Sequence, residues 1–137
     1  MSNTEPKQVI QTYLDALVSG DIEGVRNSFA EDATWTIHGR LPIAGTKRGR
    51  SAIIDDFLVN VMGSLFVPGS HQFTFTTMLA EGDVVALEWR VVAKTASGDP
   101  YDNEYVGMFV VRDGLIQEVR EYCDTLYVAD TLYAGNV

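Results

Sequence analysis

The chain is poor in the residues that staple or metallate a fold. It has one cysteine, Cys123, which excludes an internal disulfide and predicts a protein of the reducing cytoplasm. Two histidines, His38 and His71, stand alone with no zinc-type spacing around them, so no metal and no cofactor are expected. Basic residues are scarce as well: 10 Lys and Arg against 19 Asp and Glu leave a net charge of −9. That balance argues against nucleic acid or an anionic membrane surface as a partner. No apolar run approaches the roughly 20 residues that span a bilayer, and the start, "MSNTEPKQ", predicts no secretion leader.

What remains is an ordinary globular composition, 46% hydrophobic and 21% charged over 137 residues. That length predicts one domain, residues 1–137, with its own core. In "PKQVIQTYLDALVSG" the residues Val9, Ile10, Tyr13, Leu14, Leu17 and Val18 recur at helical spacing, with Asn3 or Thr4 as cap and Gly20 as terminator. Asp21 caps a second helix, "DIEGVRNSF", on which Ile22, Val25 and Phe29 share a stripe. A short strand, "EDATWTIHG", and a loop, "HGRLPIAGTKRGR", follow. Ser51 then caps a third amphipathic helix that carries Ile53, Ile54, Phe57, Leu58 and Val61. From Pro68 the period changes to that of strands. "SHQFTFTTMLA", "VVALEWRVVAK", "YDNEYVGMFVVR" and "LIQEVREYCD" are separated by the hairpin signals "EGD", "TASGDP" and "DG". Helices first and an antiparallel meander after them give an α+β fold, with N-terminal helices packed on a mainly antiparallel sheet.

The stretch "VVALEWRVVA" sets opposite charges, Glu88 and Arg90, in the middle of an otherwise apolar strand. A two-residue Ser97-Gly98 turn puts Arg90 opposite Tyr105 and Glu88 opposite Gly107. A three-residue Arg112-Asp113-Gly114 loop puts Tyr105 opposite Glu121 and Gly107 opposite Val119. Arg90, Tyr105 and Glu121 then form one cross-strand row. A two-residue Asp113-Gly114 turn is the alternative, and it sends Glu121 to the other face. The first register keeps Leu115, Val119 and Cys123 with Glu121. A competing reading makes Glu88 and Arg90 a solvated pair and gives the core to Leu87, Trp89 and Val91.

The order of elements, and "YLDALVSGDIEGVRNSFAEDATW" in particular, resembles the nuclear-transport-factor-2-like superfamily. Within it the chain is similar to SnoaL-like, ketosteroid-isomerase-related proteins, whose last strand resembles "EVREYCDT". The resemblance implies a cone-shaped domain, a strongly curved sheet closed by helices around an apolar pocket, and a homodimer. It matches Tyr13 to the oxyanion-donating tyrosine of ketosteroid isomerases, and it sets Ile37 and Gly107 at or near the positions of their two catalytic acids. The arginine and two aspartates of limonene epoxide hydrolase fall at Glu88, Arg90 and Glu121, and that enzyme's tyrosine and asparagine at Trp35 and Ile37.

These observations converge on cofactor-independent acid–base chemistry of isomerase, polyketide-cyclase or dehydratase type, on a hydrophobic small molecule. The alternatives are a non-catalytic binder or an epoxide hydrolase with a rearranged Glu/Arg/Glu site. Glu121 is the expected base, Arg90 its electrostatic partner, Glu88 a second acid, and Tyr13 and Tyr105 hydrogen-bond donors. Trp35, Ile37, Phe57, Asn103, Gly107, Val119 and Cys123 are the expected lining. On this reading Leu87, Trp89, Val106 and Met108 cover the convex sheet face and are buried by the homodimer. His38 and His71 read as strand-end residues, Asp124 as a strand-end or dimer contact, and "KRGR" as a solvated loop feeding a helix.

Overall fold

In the computed structural model, which describes residues 5–134, an open six-stranded sheet is covered on one face by helices. The first helix, α1 (Pro6–Ser19), starts with proline at its first turn and ends at Gly20, whose φ of 75° returns two backbone bonds to Ala16 and Leu17. The expected caps Asn3 and Thr4 lie outside the described residues. Val9, Ile10, Tyr13 and Leu14 are buried, the stripe that the spacing predicts. Asp21 caps α2 (Ile22–Asn27) by accepting the Gly24 N–H at 3.0 Å. That helix stops before Phe29, which instead opens strand β1 (Phe29–Ile37) and is fully buried there. Tertiary pairing with the end strand overrides the helical spacing of Phe29.

The glycine-bearing loop contains a short edge strand, β2 (Gly45–Arg48), which its polar sequence does not advertise. The third helical segment is a π-helix over Ala52–Val61 that continues as α3 (Met62–Leu65). Ser51 precedes it without capping a backbone N–H, its hydroxyl donating to Asp55 at 3.3 Å instead. An Arg26–Asp55 pair, with two contacts of 3.0 and 2.8 Å, ties α2 to this helix. Strands β3 (Gln72–Glu81), β4 (Val84–Lys94), β5 (Pro100–Arg112) and β6 (Leu115–Cys123) form the meander. A final helix, α4 (Thr125–Leu132), is capped by Asp124, which accepts the Tyr127 N–H at 3.1 Å. No helix among the described residues is long and apolar enough to cross a membrane.

The sheet order is β2-β1-β6-β5-β4-β3, and only β1 and β6 run parallel. Both hairpin registers differ from expectation. The β4–β5 connection holds Ala96-Ser97-Gly98 between Thr95 and Asp99, closed by Gly98 N–H to Thr95 O and Thr95 N–H to Asp99 O, each at 2.8 Å. Gly98 takes φ of 90°, the left-handed residue that a three-residue loop requires. This single added loop residue sets Trp89 opposite Tyr105 and Leu87 opposite Gly107, and turns Glu88 and Arg90 to the outer face.

At the last hairpin Arg112 pairs with Leu115, so the turn is the two-residue Asp113-Gly114 type, with φ of 56° and 76°. A bulge at Gln117 then shifts the register, so that Glu121 still faces inward opposite Gly107, and Cys123 opposite Tyr105. The inner rows are therefore Trp89–Tyr105–Cys123 and Leu87–Gly107–Glu121–Ile37. Leu87 and Trp89 lie in the core at 2% and 9% exposure, not on the outer face.

Gly107 is where the inner face is tightest. A Cβ there would stand 2.7 Å from Phe109 Cε1 and 2.9 Å from Trp89 Cζ3, both on packed rings. Gly107→Ala is expected to cost about 1–3 kcal/mol through overpacking, measured as a lowered urea midpoint. An unchanged midpoint would show that the rings yield freely.

Candidate functional site

Between the helices and the inner sheet face lies a cavity of about 640 Å³. Helix α1 supplies Tyr13, Leu14 and Leu17 to its wall, and the π-helix supplies Ile54, Phe57 and Leu58. The sheet contributes Trp35 from β1, Phe73 and Phe75 from β3, Leu87 and Trp89 from β4, and Tyr101, Tyr105 and Phe109 from β5. Glu121 and Cys123 line it from β6, and Val128 and Leu132 from α4. Amphipathic helices over a half-apolar sheet leave this space because aromatic rings of fixed shape meet from both layers: Trp35 packs on Phe57 at 5.9 Å and on Phe109 at 6.4 Å between centroids.

Among the described residues Glu121 is the one carboxylate in this wall, and it is 8% exposed. Burial penalises its charged form and pushes its pKa up to about 7. The Trp35 indole and the Lys47 ammonium pull in the opposite direction, toward the ionised form. Trp35 Nε1 leans toward this carboxyl without reaching hydrogen-bond geometry, and it is buried with no partner among the described residues. Lys47 sits opposite Trp35 in the β1–β2 pairing, with its ammonium 5.1 Å from the Phe57 ring centre and bonded to the Ile43 carbonyl. Burial lowers the Lys47 pKa, and Glu121 raises it.

The phenols around Glu121 stay protonated. Burial first, and the Glu121 charge second, raise Tyr13. Burial also raises Tyr105, and Tyr101 to about 12. Tyr101 and Tyr105 share a hydrogen bond, and Asn103 donates to the Tyr101 hydroxyl at 3.2 Å. The Cys123 thiol is pushed up to about 12, chiefly by burial, and is no nucleophile at neutral pH. The arrangement therefore offers one carboxyl that titrates near neutrality, in a wall that also carries the Tyr13, Tyr101 and Tyr105 phenols and the Trp35 indole.

The structure brings together Tyr13, Trp35, Phe57, Tyr105, Glu121 and Cys123 of the residues proposed from sequence. Ile37 and Gly107 flank Glu121 in its cross-strand row and Val119 shares that inner face, but all three are buried outside the cavity wall. Asn103 is buried behind Tyr101 and opens on an outer crevice with Asp102 and Tyr127. Arg90 and Glu88 stand apart from the cavity. Arg90 pairs with Asp102 through contacts of 2.7 and 2.6 Å on the exposed face, and Glu88 accepts from Thr76 and Thr77. The Arg90–Tyr105–Glu121 row does not form, because the one-residue difference at Gly98 reverses the strand's faces.

His38 stacks on Tyr122 at 4.5 Å on the outer side, while His71 joins the cavity wall between Phe66 and Phe73 with its pKa lowered by burial. Sequence reasoning missed Tyr101 and Lys47. The odd-numbered alternation Tyr101, Asn103, Tyr105 carries the signal for the first, once the strand's faces are known. Lys47 leaves no such trace, because nothing local separates it from the other bases of "KRGR".

A family model described as a SnoaL-like domain matches residues 10–119. No curated protein matches the sequence. Among solved structures, an NTF2-like protein from Burkholderia xenovorans LB400 is 26% identical with a TM-score of 0.76, over 96% of this chain and 98% of that one. TerC, crystallised with polyporic acid, is 22% identical with a TM-score of 0.81, over 94% and 99% of the two chains. A protein from Jannaschia sp. CCS1, proposed to be a SnoaL-like polyketide cyclase, is 20% identical with a TM-score of 0.77, over 98% and 96%.

The raised Glu121 pKa makes a stability prediction. The folded chain holds this proton more tightly than the unfolded one, so the stabilisation is complete below about pH 4.5 and is lost as pH rises through about 7. The loss across that window is about 3 kcal/mol. Glu121→Gln should remove this part of the pH dependence, and Arg90→Ala should leave it intact. Urea midpoints of the three proteins from pH 4 to 8 check it, and parallel curves for wild type and Glu121→Gln would refute the assignment.

Proposed function

This chain belongs to the SnoaL-like domain family, and we propose that its cavity performs cofactor-independent proton transfer on a small, largely hydrophobic molecule. The observation that carries this reading is Glu121: a buried carboxyl in a cavity wall, with a pKa of about 7 and no salt bridge to a cation among the described residues. A base with a pKa near ambient pH combines a useful ionised fraction with enough basicity to take a proton. Once protonated, the same group returns the proton as an acid.

Isomerisation, aldol-type cyclisation and dehydration all need this one exchangeable proton and a donor to the oxygen where charge develops. Tyr13 and Tyr105 are the donors, since neither phenol gives up its proton near neutrality. Apolar walls from Leu14, Phe57 and Phe109 favour a flat, apolar substrate body. The epoxide-hydrolase reading loses support, because Glu88 and Arg90 do not reach the cavity.

Binding without turnover is the second reading, favoured by the predominantly apolar and aromatic wall of the cavity. Two probes separate the readings. In D2O, α-proton exchange of 2-tetralone should be accelerated by the wild-type protein, with a rate that climbs through about pH 7 as Glu121 ionises. Glu121→Gln should lower it by about 100-fold or more while retaining affinity for polyporic acid, the ligand of TerC. Binding of polyporic acid with no exchange by the wild type would leave a binder; equal exchange by wild type and variant would remove Glu121 from the chemistry.

The proposal includes a homodimer through the outer sheet face, where Val106 and Tyr122 are 38% and 44% exposed in the isolated chain. Sedimentation should give a dimer mass that Val106→Glu converts to monomer; a monomeric wild type would rule this interface out.

A further inference from the structure

A short hydrogen-bond chain behind the cavity determines which kind of atom a ligand can present there. Asn103 has its amide orientation settled on both sides. Its Oδ1 accepts the Glu104 N–H at 2.9 Å, and its Nδ2 faces the Asp124 carbonyl at 3.4 Å. Only an oxygen can accept from the first, and only a nitrogen can donate to the second. Nδ2 is therefore also the atom that meets the Tyr101 hydroxyl at 3.2 Å, and Asn103 donates to Tyr101.

Tyr101 is 1% exposed, and Tyr105 is its one remaining partner among the described residues. A hydroxyl has one proton to give. If Tyr105 donated to Tyr101, Tyr101 would accept twice and leave its own proton with no acceptor among the described residues. The satisfied order runs Asn103 to Tyr101 to Tyr105, each donation polarising the next. The Tyr105 proton then has no acceptor among the described residues, and its ring lines the cavity parallel to Trp89, 5.4 Å and 4° away.

We infer that Asn103 and Tyr101 are positioning residues that hold Tyr105 as an obligatory hydrogen-bond donor into the cavity, so that the ligand group meeting it is an acceptor oxygen of carbonyl or enolate type. This rests on the cavity being the ligand site. It adds a polarity to that site: a ligand whose matching atom is apolar leaves the Tyr105 hydroxyl unpaired and binds more weakly.

The matched pair fluorene and 9-fluorenone, of nearly equal size and flatness, tests it through quenching of tryptophan fluorescence at pH 7. The wild-type protein should prefer fluorenone by about tenfold, the worth of one hydrogen bond. Tyr105→Phe should abolish the preference, with fluorenone bound more weakly and fluorene at least as tightly as by the wild type. Asn103→Leu and Tyr101→Phe should each reduce the preference by several-fold although neither removes the Tyr105 hydroxyl. A purely structural role would weaken both ligands alike and leave their ratio unchanged. Equal binding of the two ligands by the wild type, or a ratio untouched by Asn103→Leu and Tyr101→Phe, would overturn the inference while the cavity reading stands. Binding of neither ligand would overturn the cavity reading, and the inference with it.

Discussion

The burial of one carboxyl group constrains everything else at the inner face. Removing a carboxylate from water without a paired cation costs several kcal/mol, and a protein that cannot supply a partner keeps the proton on instead. Around Glu121 the chain takes an intermediate course. The indole of Trp35 and the ammonium of Lys47 each lend partial stabilisation, the first without a completed hydrogen bond and the second without a salt bridge. The result is a group poised between two protonation states. The phenols beside it, raised by the same burial, remain donors in both. Gly107, directly opposite Glu121, leaves the space that the rings of Trp89 and Phe109 occupy next to it.

That environment depends on the parity of two hairpins. A strand alternates its side chains with period two, so one residue more or less in a turn exchanges its faces completely. The three-residue loop at Gly98 commits Trp89, Leu87 and Val91 to the core and sends Glu88 and Arg90 to the solvent. The tight Asp113-Gly114 turn would by itself have sent Glu121 outward, and the bulge at Gln117 reverses it. Two local irregularities thus place a carboxyl in the cavity and keep a guanidinium out of it. An exposed Arg90–Asp102 pair adds little to stability, which is consistent with its position on the open face of an antiparallel sheet.

Elements with a strong periodic stripe were legible before the fold was known. Helix α1, with Val9, Ile10, Tyr13 and Leu14 on one side, is the plainest case. Strand β4 was equally plain as a strand, but its faces were not, because both carry apolar residues. Helix α4 is only eight residues long, and its capping Asp124 reads as the end of the preceding strand pattern. Edge strand β2 and the strand position of Phe29 owe their structure to partners on β1 and β6, which no local spacing encodes.

By itself, the sequence determined the α+β order of elements, the inward Tyr13 of the first helix, and the pool of acid, phenol and indole groups from which a site could be drawn. Those follow from periodicities of 3.6 and 2, which short-range sterics and burial impose on any chain. The tertiary structure alone decided which of those groups meet. Loop geometry at Gly98 and the bulge at Gln117 chose the strand faces, the packing of helices on sheet desolvated Glu121, and the fold brought Lys47 from an edge strand beside it. Registers and desolvation are properties of the assembled layers, set by contacts between residues far apart in the chain, so their consequences for charge and chemistry appear only once the layers close.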